Sequence, residues 1–211
     1  MNWFHVKTAL LALGLAVITA VPATAGVPTD QLKGAIDRVV ATLDSPALKG
    51  DGKVLDRRAA VRKIANEIFD FSEIARRSLG RYWQPLSEPQ RTEFVGLFAD
   101  LLERSYISKI ETYGGEKIQY TGERIDGDYA TVSTRIITKN GTEVPVDYRM
   151  TKRGDRWLVY DVSIEGVSLV SSYRTQFNKI IQTSSYNELV SKLKNKQDEL
   201  LAEDKGTKKK L

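Results

Sequence analysis

Between residues 116 and 164 the apolar side chains of this 211-residue chain recur at every second position in four short runs, 116–125, 129–138, 143–151 and 156–164. The dipeptides between them, Asp126-Gly127, Asn140-Gly141 and Gly154-Asp155, are of the kind that closes tight hairpins. Strands joined so closely can pair only antiparallel, because a parallel pair needs a crossover of a dozen residues or more. The spacing therefore predicts a four-stranded antiparallel meander. Val144, Val146, Tyr148 and Met150 alternate with Glu143, Pro145, Asp147 and Arg149, which turns one face of the third strand inward, and Ala130, Val132, Thr134 and Ile136 share that face. Pro145 has no N–H for the ladder, so a bulge or bend is expected around it.

The fourth run leads straight into a helix. Leu158, Tyr160, Val162 and Ile164 alternate with Trp157 and Val159, so both faces of this strand are apolar and both need cover. Glu165-Gly166 ends the strand, and Ser168 can cap a helix carrying Leu169, Tyr173, Phe177, Ile180 and Ile181 on one side.

The first half of the chain has the helical period. Leu32, Ile36, Val39, Val40 and Leu43 predict a helix over 28–48 closed by Pro46; Val61, Ile64, Ala65 and Ile68 predict a second; Ile74, Ala75 and Leu79 predict a short third that starts after Asp70 and stops at Gly80. Tyr82 and Trp83 then fit a core staple between helices. Ser87 with Gln90 is a capping-box pair, opening a long helix to about Tyr113 with the stripe Phe94, Phe98, Leu101, Leu102, Tyr106 and Ile110. Ser185 with Glu188 repeats the device for a last helix. The pairs Arg57-Arg58, Arg62-Lys63 and Arg76-Arg77 read as solvated faces. Helices, then a meander, then helices predict an α+β fold in which helices wrap a curved sheet.

Residues 1–25 hold one lysine, an uncharged apolar run from Thr8 to Val21, and Ala23-Thr24-Ala25, the pattern of a cleaved secretory signal peptide. A single domain over 26–203 and a basic disordered tail over 204–211 are expected to follow. Lys7 leaves with the signal, taking one unit from the formal charge of +5, and the lysine-rich end reads as solvated rather than as a nucleic-acid groove. There is no cysteine, and the single histidine, His5, lies in the signal segment. Histidine-based triads, thiolate nucleophiles and the usual zinc and copper ligand sets are excluded from residues 26–211.

Three segments then resemble a known family: Leu79-Gly80-Arg81-Tyr82-Trp83; Gln90-Arg91 with Phe94, Phe98, Leu101, Leu102 and Tyr106; and Trp157, Val159, Asp161, Val162 with Glu165-Gly166-Val167-Ser168-Leu169. In order and spacing they are similar to the MlaC, or toluene-tolerance, family of periplasmic phospholipid-binding proteins, and a hopanoid-associated branch shares the pattern. The resemblance implies a soluble carrier; a monomer is expected because a shuttle must present its mouth to two docking sites, and neither catalysis nor a cofactor is expected of it. Its cargo would be a glycerophospholipid held in an apolar cavity between sheet and helices, and its partners an MlaA-like outer-membrane lipoprotein and an MlaD-like MCE protein of an inner-membrane ABC transporter. With such a cavity in view, the facing patterns assign Val132, Ile136, Val146, Tyr148, Met150, Val162 and Ile164 to its sheet wall. Phe94, Phe98, Leu101, Leu102, Tyr106, Val167, Tyr173 and Phe177 supply the helical walls.

Two other readings stay open on the residues. The curved sheet could hold a partner peptide, as an adaptor does. Asp147, Asp161 and Glu165 could in principle form a carboxylate pair of a hydrolase. Asn140-Gly141-Thr142 also fits a glycosylation acceptor, a pattern that short turns produce by chance.

Overall fold

A computed structural model describes residues 26–209; the expected signal segment lies outside the described residues. The described chain runs α1 (Val27–Asp44), α2 (Val54–Ile68), α3 (Phe71–Leu79), α4 (Glu88–Glu111), β1 (Lys117–Asp126), β2 (Tyr129–Ile137), β3 (Glu143–Arg153), β4 (Arg156–Ile164), β5 (Val167–Ser168), α5 (Leu169–Thr183) and α6 (Tyr186–Lys209). The first helix stops four residues short of the predicted end. Ser45 precedes Pro46 and takes the extended backbone that position favours, so only a 3₁₀ turn, Pro46–Leu48, continues to Leu48. α6 keeps its helical backbone to Lys209, where the sequence reading expects a disordered tail.

The predicted caps form. Asp70 accepts from Glu73 N–H at 2.9 Å, Gln90 accepts from Ser87 N–H at 2.9 Å, and the Ser168 and Ser185 hydroxyls accept from Ser171 N–H and Glu188 N–H at 3.0 and 3.1 Å. The sheet is the predicted antiparallel meander, in the order β1-β2-β3-β4-β5, with a two-residue strand added at the edge. Gly127 and Gly154 take φ of 55° and 60° at the first position of two-residue loops, the left-handed conformation a type II′ hairpin demands there. Asn140-Gly141 lies instead in a five-residue loop between Ile137 and Glu143.

Pro145 needs no bulge. The β2–β3 register runs unbroken through Arg135 and Pro145, and the Pro145 carbonyl accepts from Glu165 N–H at 2.9 Å. The nitrogen of Pro145 shares that side, opposite the turn where the β4 ladder ends, so no bond is lost. The irregularities lie elsewhere. One skips Thr121, beside Gly122 in β1; the other, between Arg149 and Met150, skips Tyr160 of β4.

Two apolar clusters organise the molecule. One is all helix, built from α3, α4, α5 and α6 around Leu79, Phe94, Phe98, Phe177 and Leu189. The other sets α1 and α2 on the sheet, through Leu32, Ala35, Ile64 and Ile68 against Ala130, Val132, Met150, Trp157 and Val159. Phe69 packs against both, and the segment containing it is stitched to β4 by a parallel bridge to Val159 and by Asp70 N–H donating to the Val159 carbonyl at 2.9 Å.

Candidate lipid-binding site

The skipped Tyr160 decides which β4 side chains reach the interior. Simple alternation puts Trp157 and Val159 on the face away from Val162. With one residue passed over, the phase changes, and Trp157, Val159 and Val162 all pack on the α1–α2 side. Tyr160 turns out beneath Arg77, whose guanidinium lies 4.0 Å from the ring centre.

Of the predicted sheet wall, Val132, Val146 and Met150 are buried, and Tyr148 and Val162 border the sheet-side cluster. Ile136 is half-buried. Ile164 and Val167 face each other across the β4–β5 turn and are 36% and 61% exposed, so they form a rim rather than a wall. Of the predicted helical wall, Phe94, Phe98, Leu102 and Phe177 are buried in the helical cluster, with Leu101, Tyr106 and Tyr173 at its margin. The Phe177 ring centre is 5.0 Å from that of Phe98 and 5.7 Å from that of Phe94 in edge-on contacts, and Tyr173 lies 4.9 Å from Phe98. Val132 and Met150 thus lie in the sheet-side cluster and Phe94, Phe98, Leu102 and Phe177 in the helical one, so the two predicted sets belong to different clusters. Two open concavities among the described residues lie elsewhere. One, of ≈ 610 Å³ between α1, α2 and β4, is lined by Gln31, Ala35, Arg38, Glu67 and Trp157 among others; the second, of ≈ 380 Å³, lies between α4 and α6. No residue of either predicted wall lines them.

The strand-to-helix joint is held by Asp161, 4% exposed. Its carboxylate accepts from Val170 N–H at 3.0 Å, Ser168 Oγ at 2.7 Å and Arg149 Nη1 at 3.1 Å, tying β4 to the first turn of α5. Asp147 accepts from Ser133 Oγ at 2.6 Å, and Glu165 occupies a left-handed turn position with φ 50°. The Asp147 and Asp161 carboxylates thus have structural work, which weakens the hydrolase reading.

Residues that sequence reasoning passed over also matter. Glu73, buried in α3, accepts from Arg76 and Arg77 and lies 3.6 Å from Arg153; the Arg76 hydrogen bond leads in holding its carboxyl down at about 2. Arg57 and Arg58 are not a solvated face, since both pair with Glu111 across α2 and α4 at 3.1 and 2.9 Å. Glu123 reaches from β1 to the start of α1, accepting from Thr29 N–H at 2.8 Å and Thr29 Oγ1 at 2.6 Å. Gly122 marks the adjacent bulge in the sequence, but nothing local in it signals a partner 94 residues away. Tyr120 and Tyr148, on the inner face, have hydroxyls whose titration is pushed up by burial, Tyr148 to about 12.

Comparison with known proteins agrees with this architecture. The MlaC protein family profile matches residues 33–195. The intermembrane phospholipid transport system binding protein MlaC of Haemophilus influenzae is 26% identical over 199 residues, 91% of each chain. The toluene tolerance protein ttg2D of Pseudomonas putida is 23% identical over 131 residues, 58% of each. Among solved structures, the phospholipid-binding protein of Ralstonia solanacearum, determined in complex with a phospholipid, superposes with a TM-score of 0.72 and 27% identity over 82% of this chain and 97% of that one. On the span of the profile match and the shared fold, the chain belongs to the MlaC family.

Proposed function

We propose that this protein carries a glycerophospholipid across the periplasm, shuttling between an MlaA-like outer-membrane lipoprotein and an MlaD-like MCE protein of an inner-membrane ABC transporter, after a signal peptide ending at Ala25 has been removed. The observation that carries the reading is the likeness, over 82% of the chain, to a protein solved with a phospholipid bound. The acyl chains lie where the sheet-side and helical clusters meet, the seam marked by Phe69, and enter by parting it. The protein works as a monomer without cofactor; the lipid is cargo.

The energetics set what such a carrier must do. Two acyl chains hold on the order of thirty methylenes at about 0.8 kcal/mol each, so roughly 24 kcal/mol separates them from water. An apolar interior that exchanges lipid with a bilayer has to match that bilayer closely, offering few polar groups to the chains and leaving the headgroup hydrated. The seam between two ready-made apolar clusters supplies such surface, and no helix among the described residues is long and apolar enough to cross a membrane.

Delipidation tests the reading. Stripped protein should melt lower, and phospholipid at a hundred times its Kd should raise the midpoint by about 5–10 °C through mass action. A midpoint indifferent to phospholipid would leave the peptide-binding adaptor as the better account.

A further inference from the structure

Tyr120 stands on β1 opposite Thr134 of β2, with its ring against the sheet-side cluster. Its hydroxyl oxygen is closed off from solvent and has no hydrogen-bond partner in the protein. The neighbouring polar group on this face is already committed. Thr134 Oγ1, directly across from Tyr120, donates to the Val146 carbonyl at 3.0 Å. Tyr120 therefore presents an unused O–H donor in an apolar wall. Folded proteins rarely keep a buried hydroxyl unpaired, and where they do a functional partner is a physical explanation.

The setting limits what that partner can be. After burial and Tyr148, the Asp37 carboxylate of α1 also pushes the titration of the Tyr120 hydroxyl up, and Asp37 is paired with Lys33 at 2.5 Å. A phosphate oxygen would add a negative charge on the side of that carboxylate. A neutral carbonyl oxygen would not.

We propose that the Tyr120 hydroxyl donates to an acyl-ester carbonyl of the bound glycerolipid, so that the protein reads the ester linkage as well as the apolar chains. The inference rests on the carrier reading above and deepens it. It makes ester-linked diacyl lipids the preferred cargo over ether-linked or polycyclic lipids of equal apolar area, such as hopanoids, which lack the carbonyl. Burial keeps the phenol protonated, as the role requires.

The test is a competition between diacyl phosphatidylethanolamine and its dialkyl-ether counterpart of the same chain length, each loaded onto delipidated protein. Wild type and Tyr120→Phe are compared, with melting curves to show that both are folded. One hydrogen bond predicts that wild type favours the ester lipid about tenfold and that Tyr120→Phe binds the two alike. An identical ester-to-ether ratio in both proteins, with binding intact, overturns the Tyr120 assignment and leaves the carrier reading standing. Failure of folded wild type to bind either lipid overturns both.

Discussion

Removing the Asp161 carboxylate probes the joint on which α5 depends. In Asp161→Ala the Val170 N–H and the Ser168 hydroxyl lose their acceptor inside the protein, and Arg149 loses its counter-ion. Hydrogen bonds to a charged group are worth about 1.5–3 kcal/mol each, and breaking a buried charged contact on one side costs about 3–5 kcal/mol. The half-exposed Arg149 can return to water, so its share is small. The expected loss is therefore about 3–5 kcal/mol, carried by the two α5 contacts. Asp161→Asn keeps one acceptor oxygen but turns an amide toward a donor, for a loss of about 2 kcal/mol. Urea unfolding followed by circular dichroism reads both, with unchanged slopes showing that stability alone has moved. Ser168 also caps the helix through Ser171 N–H, so Ser168→Ala should cost about 1 kcal/mol and couple to Asp161→Ala in a double-mutant cycle. A loss below about 1 kcal/mol in Asp161→Ala, or additive behaviour in the cycle, would refute the assignment of this carboxylate as the pin between β4 and α5.

Further expectations follow from other parts of the molecule. Phe177→Ala, which vacates the centre of the aromatic group on α4 and α5, should cost about 3–5 kcal/mol in the same unfolding experiment, and a cost near zero would mean the ring cluster is not packed as described. Val162→Lys places a charge at the border of the sheet-side cluster; folded protein that still copurifies with its full complement of lipid would remove Val162 from the binding wall. Glu73 is held at about 2, below the ordinary 4.5, so its contribution is complete above pH 4.5 and is lost as pH falls toward 2. That shift corresponds to roughly 3 kcal/mol at most, reduced because Arg76 is 48% exposed, and Glu73→Gln should flatten the acid limb of a stability–pH profile while destabilising the protein at neutral pH. Glu165→Asn, at the left-handed position of the β4–β5 turn, should leave stability unchanged or raise it by up to about 1 kcal/mol, and a clear loss would show that the Glu165 side chain has a role of its own.

Much of this architecture is legible in the chain because its signals are local. The hairpins at Gly127 and Gly154, the caps at Asp70, Ser87, Ser168 and Ser185, and the change of period after Gly115 each depend on a few neighbouring residues, and each appears where the sequence places it. What was not legible depends on distant partners. The bulge at Tyr160 has no glycine to mark it, yet it moves Trp157 and Val159 to the inner face and so redraws the sheet wall. Facing patterns say which side chains point inward, but not which cluster they join; for that reason the two predicted walls look like one site in the sequence and like two cores in the structure. Tyr120, Glu73 and Glu123 were invisible for the same reason, since a residue's missing or surplus hydrogen-bond partner is a property of its surroundings.

The most direct test of the account is organic extraction of the protein, exported with its own signal in a Gram-negative host, followed by lipid mass spectrometry against an unrelated periplasmic protein purified in parallel. The account predicts close to one glycerophospholipid per chain in this protein and only background in the control. Background levels in both would contradict it and return the apolar clusters to the role of ordinary cores.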